Sequence, residues 1–297
     1  MNRLPALAGL LLALAAPALG RDVPVTFQVN DSLVKDKAVA GAAIRVARAG
    51  KAAAKGTTDA RGRLELALPP GKYAATYAKA GYVTIDKSPF TVGEQPRHIT
   101  TTMSMLLEAA GQARRRRVQV VLNWGSRPDQ VKDADSHLAC ACGDGHVYFS
   151  DKRHEAGAHS AELDVDDMDW GGPETLTLLD PPPGEYRYWV DQYSDEGALG
   201  ASDVLVRVVF DDRVAGEFPA PPDASSQTWR PFKAVRVGED LAPELVPFTR
   251  EELSQGQDRA LPPEQGGHSR GATAVVLVVL ALVVVVAAAV VIAARLR

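Results

Sequence analysis

Apolar and polar residues alternate at period two along most of this chain, a pattern that predicts strands rather than helices. Leu64, Leu66 and Leu68 alternate with polar or small neighbours, and so do Tyr73, Ala75 and Tyr77. Pro69-Pro70-Gly71 joins the two runs as a tight turn in which Gly supplies the positive φ. Further strands are predicted at residues 25–29, 42–47, 82–92 and 98–106. Farther along, Val118, Val120, Leu122 and Trp124 share one face, as do Val204, Val206, Val208 and Phe210. Between these runs strands are predicted at 146–150, 161–165, 174–179 and 186–190, with a closing strand near 229–237. Neither stretch carries a helical period, so each reads as a sandwich of short strands. The predicted fold class is all-β: two tandem β-sandwich domains, with an N-terminal signal peptide and one C-terminal transmembrane helix.

The two ends have their own patterns. Residues 1–20 carry Arg3, an apolar run from Leu4 to Ala15, and small residues at Ala18-Leu19-Gly20, as a secretory signal peptide does. Residues 272–294 are apolar apart from Thr273, long enough for one membrane-spanning helix. Arg295 and Arg297 follow, which places residues 295–297 in the cytoplasm and the rest outside. A processed sorting tail beginning near Gly266-Gly267 is the competing reading. The predicted order is signal peptide 1–20, first sandwich 21–107, basic linker 108–117, acidic sandwich 118–248, polar stalk 249–271 and helix 272–294.

Charge separates the two sandwiches. Residues 22–104 hold 12 Lys/Arg and 7 Asp/Glu, whereas residues 118–247 hold 10 Lys/Arg and 25 Asp/Glu. An acidic surface of that size repels phosphate and excludes nucleic acid as its partner. Cations or a basic partner suit it better, although an acidic face also serves solubility alone. Arg114-Arg115-Arg116-Arg117 ends the linker, and reads either as a solvated joint or as a dock for an anionic surface.

Two resemblances follow from the residues. Val39-Ala40-Gly41-Ala42, Gly56-Thr57-Thr58-Asp59-Ala60-Arg61-Gly62, Leu68-Pro69-Pro70-Gly71-Lys72-Tyr73 and Lys79-Ala80-Gly81-Tyr82 occur in the order seen in carboxypeptidase regulatory-like domains, which this stretch resembles. The resemblance covers roughly 80 residues and implies a transthyretin-like sandwich with an accessory carbohydrate- or protein-binding role. It implies no peptidase: His159 and Glu162 have a zinc-ligand spacing, but a third ligand is missing. Farther on come Trp124, Asp133-Ala134-Asp135-Ser136-His137-Leu138, His146-Val147-Tyr148-Phe149, Leu163-Asp164-Val165-Asp166-Asp167, Gly172-Pro173-Glu174-Thr175 and Gly184-Glu185-Tyr186. As a set they are similar to YfaP-like bacterial surface β-domains, whose activity is uncharacterised. Cys140 and Cys142 depart from that pattern, in place of a turn-forming segment.

The candidate chemistry lies in the acidic half. Asp164, Asp166, Asp167 and Asp169 crowd the end of a predicted strand, and Asp133 and Asp135 join them if their strand lies alongside. Such a set of hard oxygens predicts Ca2+, the one cofactor the sequence suggests; the alternative is a solvated turn whose carboxylates bind nearby N–H groups. His137, Cys140, Cys142 and His146 have a compact spacing that suits a soft-metal site, or else a strained disulfide or free thiols. Tyr186, Tyr188, Trp189 and Tyr193 offer either an aromatic platform for sugars or core packing. No nucleophile elbow, metalloprotease helix or phosphate-binding loop occurs. The expectation is a non-catalytic, membrane-anchored binding or adhesion module outside the cytoplasm, recognising protein or carbohydrate. The alternative is a metal-dependent hydrolase-like or metal-binding second sandwich.

Overall fold

The computed structural model describes residues 21–125, 127–139, 145–169, 171–224 and 227–259. The predicted signal peptide at 1–20, the predicted membrane helix at 272–294, and Cys140 and Cys142 lie outside the described residues. Among the described residues no helix is long and apolar enough to cross a membrane.

The regular structure of the described residues is almost entirely strand. In the first half, β1 (Val23–Asp31), β4 (Arg63–Leu68) and β7 (Arg97–Met103) form one sheet, ordered β4-β1-β7, with β1 and β7 parallel. A second sheet holds β2 (Ala43–Arg48), β3 (Lys51–Thr57), β5 (Gly71–Ala78) and β6 (Ile85–Val92) in the order β3-β2-β5-β6. Val25, Phe27 and Val29 from the first sheet pack with Ile44, Val46, Ala75 and Tyr77 from the second, all within 1% of complete burial. These are the alternate residues that the period-two pattern selects. The turn before β4 is fixed locally. Asp59 Oδ1 accepts the N–H groups of Arg61 and Arg63, both at 2.8 Å. Gly62 takes φ +73° there, and a Cβ would sit 2.5 Å from the Val29 carbonyl oxygen.

In the second half, one sheet runs β11-β12-β13-β8-β15-β16, where β8 is Arg117–Asn123, β11 Arg153–Ala156, β12 His159–Val165, β13 Glu174–Leu179, β15 Leu205–Phe210 and β16 Arg213–Pro219. The facing sheet runs β10-β9-β14-β18-β19, where β9 is Ala134–Ala139, β10 His146–Val147, β14 Gly184–Gln192, β18 Ala234–Val237 and β19 Pro243–Val246; β17 (Thr228–Trp229) adds to β14. Val120, Leu122, Leu176, Val206 and Val208 of the first sheet meet Leu138, Tyr186, Tyr188 and Val190 of the second in one core. Tyr186, Tyr188 and Trp189 are buried, so of the four predicted platform aromatics only Tyr193 is exposed.

Two expectations need correction. The basic joint is not open at its end: Arg117 starts β8 and is 1% exposed, donating from Nη1 to the Met105 carbonyl at 2.7 Å. Arg116 and Arg117 also donate their backbone N–H groups to Asp180 and Asp211, so the joint is bonded into the second sandwich. The polar stretch from residue 249 is also folded for its first part. Thr249 and Glu252 form a reciprocal capping box that starts α1 (Arg250–Ser254), because the Thr hydroxyl and the Glu carboxylate each take an otherwise unpaired N–H. Beyond it the Asp258 carbonyl accepts the Arg230 N–H at 2.6 Å, and Arg259 pairs with Asp223.

The halves meet through polar contacts, two of them buried and the third, Arg97 with Asp203, at the surface. Asn123 donates to Thr102 Oγ1 at 2.8 Å, Arg207 donates to the Thr102 carbonyl at 2.9 Å, and Arg97 grips Asp203 with two bonds of 2.6 Å.

Candidate metal centre

The acidic residues sit where the two sheets of the second sandwich approach each other. β12 ends at Val165, and a loop leads into β13 at Glu174. Gly172, at φ +61°, lets that loop pass against the indole of Trp124, and the Gly172-Pro173 peptide bond is cis. Asp135 comes from β9 in the facing sheet. The two sheets are tied here by the Ser136 N–H, which donates to one oxygen of Glu174.

Asp135, Asp166 and Glu174 each offer an oxygen, and these oxygens all lie within 4.8 Å of one another. Among the described residues this is the one group of three or more His, Cys, Asp or Glu side chains close enough to share an ion. Glu174 is fully buried and Asp135 is 4% exposed. Burial pushes the Asp135 carboxyl up to about 8, reinforced by the charges of Asp133, Asp166 and Asp191. Burial likewise holds Glu174 well above the usual carboxylate range, with the Asp135 charge adding to it. The second oxygen of Glu174, Oε1, is buried without a hydrogen-bond partner, and so is Asp166 Oδ1.

Lysine reaches one member of the trio, Asp166, and the neighbouring Asp167. Lys152 Nζ lies 2.6 Å from Asp166 Oδ2, on the side away from its unpaired oxygen. Lys35, from the first half of the chain, stands 3.2 Å from Asp167 Oδ1 and donates to the Asp166 carbonyl at 3.2 Å.

The six predicted carboxylates therefore have different fates. Asp135 and Asp166 belong to the trio, and Asp133 lies beside it, 9% exposed and pushed up to about 6 by burial and by the charges of Asp166 and Asp167. Asp167 faces Lys35, and the Asp169 side chain is 76% exposed, 4.0 Å from Lys132. Asp164 stands apart, against Thr177, Glu162 and Arg117, and burial pushes it up to about 7. It does not share the face of Asp166, because β12 ends between them and strict alternation stops there. Asp133 and Asp135 reach the cluster from across the sandwich, not from a neighbouring strand as expected. Glu174, which sequence reasoning left out, completes the trio.

His137 and His146 are brought together by the antiparallel pairing of β9 and β10, with His137 Nδ1 3.0 Å from His146 Nε2. Their rings stack on each other and on Tyr148 and Trp189, with centroids 4.3–5.4 Å apart.

No protein-family model matches the chain, and no curated protein matches it. Among solved structures it is similar to the protein of unknown function SAV2460, at 18% identity and a TM-score of 0.36, over 45% of this chain and 87% of that one. It is also similar to SCO6318 of Streptomyces coelicolor A3(2), a homologue of the telluride resistance protein TerD, at 19% identity and a TM-score of 0.35, over 46% and 89%. The major pilin subunit BcpA of Bacillus cereus matches at 13% identity and a TM-score of 0.28, over 66% of each chain. Scores of this size leave the function of the chain to be argued from its own residues.

Proposed function

We propose that this chain is a non-catalytic binding module, held at a membrane and displayed outside the cytoplasm, that recognises a protein or a glycan at the acidic end of its second sandwich. One observation carries the reading: among the described residues, three of the five large apolar side chains that stand exposed gather around that end. They are Val34, Met168 and Tyr193, at 48%, 62% and 56% exposure. Val34 precedes the Lys35 that touches Asp166 and Asp167, Met168 lies in the loop between Asp167 and Asp169, and the Tyr193 N–H donates to the Asp133 carbonyl at 3.1 Å. Exposed apolar patches rimmed by polar residues mark interaction sites. The excess negative charge around them favours a partner with a basic face.

The test is binding of the full chain, in detergent, to the envelope fraction of the producing cell, followed by interferometry. The expected result is saturable binding that Val34→Ser/Met168→Ser/Tyr193→Ser abolishes with the melting temperature unchanged. Protease or periodate treatment of the envelope then tells protein from glycan. Absent binding, or equal binding by the triple variant, would reject the reading.

A further inference from the structure

We propose that Asp135, Asp166 and Glu174 form a binding site for one hard divalent cation, Ca2+, which clamps the two sheets of the second sandwich together. The inference does not depend on the partner reading, since it concerns groups beneath the rim and its test uses no partner.

Crowded carboxylates alone would be an ordinary acidic patch. Glu174 makes the difference. It is wholly buried, one of its oxygens takes the Ser136 N–H, and the other is left without a donor beside two more carboxylates. A buried acceptor with no partner costs roughly 1–3 kcal/mol, and more when charged. Three close acids can escape that cost by holding protons or by sharing a cation. All the donors here are oxygens, which hard cations prefer to the softer metals that seek imidazole and thiolate. Ca2+ holds its oxygens at about 2.3–2.6 Å, so two bound oxygens can stand up to about 5 Å apart. The trio, with one oxygen from each residue within 4.8 Å of the other two, fits that limit. Mg2+ draws its ligands in to about 2.0–2.1 Å and demands octahedral order, so it should bind less well. The remaining coordination positions fall to water.

The ligands come from opposite sides of the sandwich: Asp135 from β9, Asp166 from the loop after β12, and Glu174 from the start of β13. An ion here replaces repulsion between the sheets with a shared bond. It acts on stability without any reaction being involved.

The experiment takes the full chain stripped with EDTA and dialysed against Ca2+, with Mg2+ as a parallel arm. Bound metal is counted by atomic emission, and melting is followed by circular dichroism. Wild type should retain one Ca2+ per chain beyond Asp135→Asn and Glu174→Gln, and should melt a few degrees higher at tenfold excess over the dissociation constant. Both variants should lose the shift, whereas Asp169→Asn, with its exposed side chain, should keep it. Should Glu174→Gln fail to fold, Asp166→Asn at the edge of the trio carries the same comparison. Identical wild-type melts in Ca2+ and EDTA would overturn the site. So would a calcium response that survives in Asp135→Asn and disappears in Asp169→Asn.

Discussion

The guanidinium of Arg207, on β15, donates to the carbonyl oxygen of Thr102, on β7, at 2.9 Å. Arg207 is 2% exposed and its Nε also donates to Glu217 at 2.7 Å, so one side chain joins the two sandwiches and neutralises a carboxylate at their interface. Removing it takes that donor from the Thr102 carbonyl and leaves the largely buried Glu217 carboxylate with the Ser88 hydroxyl, at 3.2 Å, in place of a cation. Arg207→Ala should therefore destabilise the chain by on the order of 3 kcal/mol. The two halves should also cease to melt as one unit. Calorimetry checks both, and a single unchanged transition would show that the joint does not depend on this residue.

The joint itself should resist trypsin. Arg114 is exposed, but from Arg116 onward the backbone is bonded to Asp180 and Asp211, and the Arg117 side chain is buried. A protease needs several residues of free, extended backbone. Limited digestion should thus cut after Arg114 at most, and the fragments should remain together on size exclusion. Two fragments that elute separately would mean an open joint.

Much of the fold was legible because buried strands advertise themselves. β13 falls at residues 174–179, as the alternation predicts, and β8 and β15 lie within a residue of their predicted positions. The strands left unread are the edges β3, β11, β16 and β19, and the central β9, whose buried Asp135, Ser136 and His137 hide any apolar alternation. β3 reads Lys-Ala-Ala-Ala-Lys-Gly-Thr and is largely exposed, so it has no apolar face for a pattern to reveal. β11 and β19 are short and half-exposed for the same reason. The candidate site was half legible. The run of aspartates marked the right loop, but which of them converge is decided by sheet-to-sheet contact over some 30 residues of sequence, and no local spacing encodes that. Glu174 carried one weak signal: a carboxylate opening a strand otherwise made of Thr and Leu.

Gly172 offers a test of how tightly that loop is held. Its φ of +61° disfavours any other residue, and a Cβ would lie 2.7 Å from the buried Trp124 ring. Gly157 has a similar φ of +65° but open space around it. Gly157→Ala should cost about 1 kcal/mol from backbone strain alone. Gly172→Ala adds overpacking, and should cost a further 1–3 kcal/mol or so. Equal effects in urea melts would mean that the loop can move off the indole.

The buried acids also predict an unusual pH dependence when divalent cations are removed. Asp133, Asp164 and Asp135 are pushed up to about 6, 7 and 8, and burial also holds Glu174 well above the usual carboxylate range. In the unfolded chain such carboxyls titrate near 3.9–4.3. Between about pH 4 and 8 the folded protein therefore holds protons that the unfolded chain has released. Its stability must fall as pH rises through that window, the reverse of the usual carboxylate behaviour. Exposed acids with lowered values, such as Asp59 and Asp223, act only at lower pH. His98 acts in the opposite direction, because burial lowers its value. A comparison with Asp135→Asn removes such background. In EDTA the wild-type melting temperature should drop from pH 5 to pH 8 relative to that variant. Parallel curves for the two proteins would show that Asp135 is ionised at neutral pH in the folded chain.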